Sequence, residues 1–131
     1  MRRWGSGLTL IELLIAVVVL GVLATTAIPP FMRSLEYTKG RESERGLRVI
    51  FEAERSYFFD VLPNSYGTMA NLIPTYLVAA PDSANWVYTI TTPGAAPYGA
   101  FTAMATRQGG GSRGGQTRTI TQAGVIVPAT W

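Results

Sequence analysis

The chain has 131 residues, 47% of them hydrophobic and 15% charged, which excludes disorder and leaves room for one small domain with an appendage. It contains no Cys and no His, so a disulfide framework and thiol or imidazole chemistry are excluded. The formal net charge is +3, and Arg2 and Arg3 supply two of the eleven basic side chains; the remaining nine stand against eight acids, too small an excess to imply a nucleic-acid or anionic-membrane partner.

The first element begins at Leu8 with LTLIELLIAVVVLGVLATTAIPP. Residues 8–28 carry one ionisable group and, as a helix, span about 31 Å at roughly 1.5 Å per residue, the thickness of a bilayer's hydrocarbon core. A secretory signal has a shorter apolar stretch followed by small residues, whereas Pro29, Pro30 and Phe31 follow this one, so any cut is expected before the apolar run. The ionisable group is Glu12. A carboxylate at the centre of such a helix costs on the order of 2.5–3.5 kcal/mol, and less near an end. In the first turn it also gains about 0.3–1 kcal/mol from the helix dipole, so capping its own helix is the plainer role. Pro29 removes a backbone donor and its ring crowds the turn near Thr25, while the Thr25 and Thr26 hydroxyls are placed to satisfy freed carbonyls. Gly21 to Pro29 therefore reads as a weak stretch of helix.

A short basic leader ending in Gly7, an apolar residue after it, Thr9-Leu10-Ile11-Glu12, and a long apolar helix holding Gly21 and Pro29 together resemble the N-terminus of a type IV prepilin. The specific part of the resemblance covers roughly the first quarter of the chain. It implies that a prepilin peptidase cuts between Gly7 and Leu8 and methylates the new N-terminus on Leu8; most members have Phe there. It divides the chain into a leader (1–7), a membrane and assembly helix (8–30) and a globular domain (31–131). Cleavage would create an ammonium group on Leu8, and pairing it with a carboxylate would relieve two charges that lack water. By resemblance, Glu12 of an incoming subunit meets the N-terminus of its neighbour, and the helix loosens at Gly21 and Pro29 in the filament. Arg2 and Arg3 favour a cytoplasmic N-terminus; Arg33, Lys39, Arg41, Arg45 and Arg48 outnumber them, and the resemblance decides the orientation against that count.

Past Pro30 the helical pattern turns amphipathic, with Leu47, Ile50, Phe51, Tyr57 and Phe58 at three- and four-residue steps as far as about Asp60. Spacing predicts ion pairs Glu44–Arg48, Glu42–Arg45 and Glu52–Arg55. The window KGRESERG (39–46) has no apolar residue and reads as a solvated helix face. Residues 61–85 form a connection with one helical turn near Met69–Leu72, and strands are predicted at 86–92, 100–106, 117–122 and 125–127. The second and third are joined by the flexible RQGGGSRGGQ. The expected fold is α+β: a long N-terminal helix on an antiparallel meander of three or four strands, one face packed on Ile50, Phe51 and Phe58.

No catalytic, cofactor or metal site is expected. Only Asp60 and Asp82 are acidic after residue 54, so the sheet lacks the carboxylate cluster of a Ca²⁺ site. The glycines of 109–115 do not lie between a strand and a helix, which argues against a phosphate loop. Arg107, Arg113 and Arg118 make an RGG-like pattern that could touch nucleic acid, with a mobile hairpin carrying solvating charges as the plainer reading. Phe51, Tyr57, Phe58 and Phe59 read as core.

The resemblance thus implies a structural subunit of a pilus, major or minor. It would wait in the inner membrane for processing and then join other pilins in an extracellular filament through the assembly machinery. Such filaments serve adhesion or motility. The alternatives are a pseudopilin of a type II secretion system, with a periplasmic filament, and an uncleaved helix that anchors a binding domain.

Overall fold

The computed structural model describes residues 8–61, 63–110 and 113–128. One helix, α1 (Leu10–Asp60), is followed by the short α2 (Met69–Leu72) and by four strands, β1 (Trp86–Thr91), β2 (Thr102–Arg107), β3 (Thr117–Thr121) and β4 (Ile126–Val127). The strands lie in chain order in one antiparallel sheet. The chain divides into two compact units, the first ending at Thr38 and the second running from Lys39 onward.

In the first unit every residue from Leu8 to Leu35 is exposed. The helix continues through Gly21, Pro29 and Pro30. Proline at 29 and 30 removes the donors that the Thr25 and Thr26 carbonyls would otherwise use. Contrary to the sequence expectation, the two threonine hydroxyls do not serve those freed carbonyls; they donate one turn upstream, Thr25 to the Val22 carbonyl at 2.7 Å and Thr26 to the Leu23 carbonyl at 2.9 Å.

The second unit is built on the remainder of α1. Its buried positions, Ser43, Gly46, Leu47, Ile50, Ala53 and Glu54, recur at three- and four-residue intervals and define one face. Against that face the sheet supplies Trp86, Tyr88, Ala103, Ala105 and Ile120, with Phe101 just before β2 and Leu72 and Leu77 from the connection. The alternation Trp86–Tyr88 in β1 and Ala103–Ala105 in β2 is the period of two that turns one sheet face inward. Phe51 tilts against Phe101 with centroids 6.3 Å apart, and Phe101 lies 4.9 Å from Tyr66, which stacks on Phe58 at 4.7 Å. Gly124, at φ 73°, turns the chain between β3 and β4 in a conformation that favours glycine, and a Cβ there would crowd the Phe51 ring, 3.1 Å from its Cζ.

Phe59 corrects the aromatic reading: it is 66% exposed. One residue adds 100° around a helix, so Phe59 points away from the face that Phe51 and Phe58 share. The window 39–46 is a second correction, because Ser43 and Gly46 are buried. These two residues are too small to register as apolar, yet small size is what lets the sheet approach.

Candidate assembly site

Leu8 and Thr9 precede the first turn of α1. The Thr9 hydroxyl accepts the backbone N–H of Glu12 at 3.3 Å, and its carbonyl accepts that of Leu13 at 3.2 Å. Thr9 is thus the N-cap, satisfying one of the donors that a helix start leaves open. Glu12 is at the third helical position, where an acid suits the dipole. Its carboxylate has no partner among the described residues. The capping role open to Glu12 is therefore filled by another side chain.

Around Glu12 the helix is apolar on every side. Leu10, Ile11, Leu13, Leu14, Ile15, Val17 and Val18 are all exposed, as is the apolar sequence on to Ile28. The helix is long and apolar enough to cross a membrane, and none of its apolar window is buried within the chain. A helix hydrophobic all round requires lipid or other helices as its surroundings, and a patch of this extent far exceeds what monomeric proteins leave to water.

Leu8 is 72% exposed at the head of this segment. Gly7, the residue on the other side of the expected cut, and the leader Arg2 and Arg3 lie outside the described residues. Gly21 faces open space: beyond its own stretch of helix backbone, no atom of the described residues lies within 4 Å of where a Cβ would be. Leu8 and Glu12 sit at one end of the apolar segment, and Gly21 and Pro29 lie farther along it.

In the second unit the acids of 39–46 find partners on the sheet, or just before it, rather than on their own helix. Glu42 accepts from the Asn85 amide at 2.9 Å, and Glu44 pairs with Arg118. The predicted pairs with Arg45 and Arg48 do not form; Arg45, Arg48, Glu52 and Arg55 have no ion-pair partner among the described residues. An intrahelical pair is worth only about 0.3–0.5 kcal/mol, so partners offered across the helix–sheet seam readily displace it. Two sheet side chains also donate to helix carbonyls, the Trp86 indole to Lys39 at 2.8 Å and the Tyr88 phenol to Glu42 at 3.2 Å. Burial, with Glu42 and Asp82 nearby, pushes the Tyr88 phenol up to about 12, so it remains a donor through the physiological range.

The Gly-rich loop holds fewer free cations than its sequence implies. Arg118 is tied to Glu44, and Arg107 and Arg113 also have partners; Gly111 and Ser112 lie outside the described residues. Among the described residues no group of three or more acids gathers to hold a metal ion.

One buried group escaped the sequence reading. Glu54, inside the core, accepts the Gly67 N–H at 2.9 Å through Oε2 and has no partner for Oε1 among the described residues. Its position in the series 43, 46, 47, 50, 53, 54 was the available signal.

No family model matches the chain, and no solved structure matches it significantly. Among curated proteins it is similar to the type IV major pilin protein PilA of Myxococcus xanthus (strain DK1622), 37% identical over 67 residues. The matched region is 51% of this chain and 30% of that pilin's length.

Proposed function

We propose that this chain, which is type IV pilin-like in sequence and architecture, is a structural subunit of a type IV pilus, cleaved between Gly7 and Leu8, methylated on Leu8 and polymerised through α1. The observation that carries this reading is Glu12: one carboxylate, without a partner among the described residues, on a helix exposed and apolar on all sides. Cleavage after Gly7 supplies the missing partner, an ammonium four residues ahead of the carboxylate in sequence. In a bundle of such helices neither charge has water, and each is stabilised by meeting the other across two subunits. A subunit that fails to place its Glu12 against a neighbour's Leu8 ammonium leaves both uncompensated, so the contact sets the axial register.

The same helix serves twice. Before assembly it anchors the subunit in the inner membrane, where prepilin peptidase and the assembly machinery reach it. Afterwards its apolar surface is covered by the helices of other pilins in the filament. Gly21, Pro29 and Pro30 make the intervening stretch easy to loosen, because the prolines leave two carbonyls without helical donors and Gly lowers helix propensity by about 1 kcal/mol relative to Ala.

Intact-mass analysis and N-terminal sequencing of the protein purified from its native membrane test the processing. The expected chain begins at N-methyl-Leu8; a chain beginning at Met1 refutes the reading and favours a permanent anchor.

A further inference from the structure

The Glu54 carboxyl is 0% exposed, with one hydrogen-bond donor for its two oxygens among the described residues. That donor is the Gly67 amide, in the segment that leads from α1 to α2. The approach is close: a Cβ at Gly67 would lie 3.1 Å from Asn71 Cβ and 3.2 Å from the Tyr57 ring. One turn away from Glu54 along α1 stand Ile50, Phe51, Tyr57 and Phe58, and beside Gly67 stands Tyr66. The titratable groups around Gly67 are the phenols Tyr57 and Tyr66, with Tyr76 packed edge-on against Tyr57 at 5.4 Å. Burial pushes the Glu54 carboxyl up to about 7, the Gly67 amide opposes it, and no charged neighbour contributes.

We propose that Glu54 is a proton-operated latch for residues 63–68: as a neutral acid it holds the segment on α1 through Gly67, and on ionising it admits water and lets the segment lift. Ionisation strengthens the one bond to Gly67. It also leaves a negative Oε1 with no donor among the described residues, in a site closed to solvent, and that penalty is the larger of the two. The relief is hydration, which requires the overlying backbone to part. The segment does not move alone. Tyr66 N–H donates to the Tyr98 carbonyl at 2.9 Å, and Tyr98 N–H donates to Ser65 Oγ at 2.8 Å, so lifting 65–67 also frees 98. It uncovers the Tyr66 ring where it stacks on Phe58 and lies against Phe101. The proton goes to solvent, and no further reactant is needed. Every residue involved lies in the unit from Lys39 onward, so the latch stands or falls separately from the filament reading.

The test is NMR on the full chain in detergent micelles, with ¹³C-labelled glutamate, from pH 4.5 to 9. The Glu54 carboxyl carbon is expected to titrate near 7, well above the other glutamates. Through the same midpoint, hydrogen-exchange protection at Gly67 and Tyr66, corrected for intrinsic rates, is expected to fall about tenfold or more. In Glu54→Gln that protection stays constant with pH. A carboxyl midpoint near 4.5 overturns the proposal, as does unchanged protection across the titration or the same pH-dependent loss in the Gln variant. If the variant does not fold, the two wild-type profiles decide.

Discussion

The Tyr88 ring occupies the place where a side chain at residue 46 would be: a Cβ built on Gly46 comes within 2.3 Å of the phenol oxygen and ring. The helix meets the sheet at this contact, and the phenol continues past Gly46 to donate to the Glu42 carbonyl. Ala at a helix interior normally gains about 1 kcal/mol over Gly, while overpacking costs about 1–3 kcal/mol, and here the colliding ring is held by its own hydrogen bond. Gly46→Ala is therefore expected to destabilise the protein by up to about 2 kcal/mol, read as a lower thermal midpoint in micelles. Unchanged or raised stability would show that the seam is loose.

Gly21→Ala is the counterpart. Beyond the local helix backbone no atom of the described residues lies within 4 Å of its Cβ position, so folding and membrane insertion are expected at wild-type levels. If the 21–30 stretch loosens in the filament, the substitution slows assembly, because Ala stiffens the helix there by about 1 kcal/mol. Subunit insertion and filament yield, measured in parallel, separate the two effects.

The Glu44–Arg118 pair joins α1 to β3 with both side chains partly exposed. Such pairs couple by about 0.2–1 kcal/mol and weaken in salt. A double-mutant cycle with Glu44→Gln and Arg118→Gln is expected to give a coupling in that range that shrinks between 0.05 and 0.5 M salt, at roughly these ionic strengths. A salt-independent coupling would mean the pair is dry.

Stability is expected to fall as pH rises from about 5 to 8. The Glu54 carboxyl titrates near 4.5 when unfolded and about 7 when folded, so the folded state keeps its proton where the unfolded state has lost it. The contribution is fully present below 4.5 and is lost as pH passes through 7, amounting to at most about 3 kcal/mol. Urea midpoints across this range measure it. Glu54→Gln should flatten the slope, and an equal slope in the variant assigns it elsewhere.

Several parts of the fold were readable from residue order because one chemical property dominates each. The apolar segment from Leu8 is a matter of composition, and the four strands follow from alternation and turn residues; their observed limits differ by a residue or two. What local spacing does not carry is which distant group a side chain will choose. Glu44 has Arg48 one turn away and takes Arg118, which is 74 residues distant. Gly40, Ser43 and Gly46 look hydrophilic in a hydropathy scan, yet they form the stripe on which Arg118 and Tyr88 rest. Glu54 is masked by its neighbours, since Glu52 and Arg55 make the stretch look like a charged surface. Glu12 was legible as an anomaly, and the structure sharpened it by giving the helix cap to Thr9.

The filament yield of Glu12→Ala decides whether the contact between Glu12 and a neighbour's Leu8 ammonium drives assembly. Removing the carboxylate makes the segment more apolar, so the variant is expected to insert in the membrane and be processed at Leu8 as the wild type is. Filaments recovered by shearing should fall by at least about tenfold, because each incoming subunit loses the group that pairs with its neighbour's ammonium. Wild-type filament yield from a correctly inserted and processed Glu12→Ala protein would contradict the account.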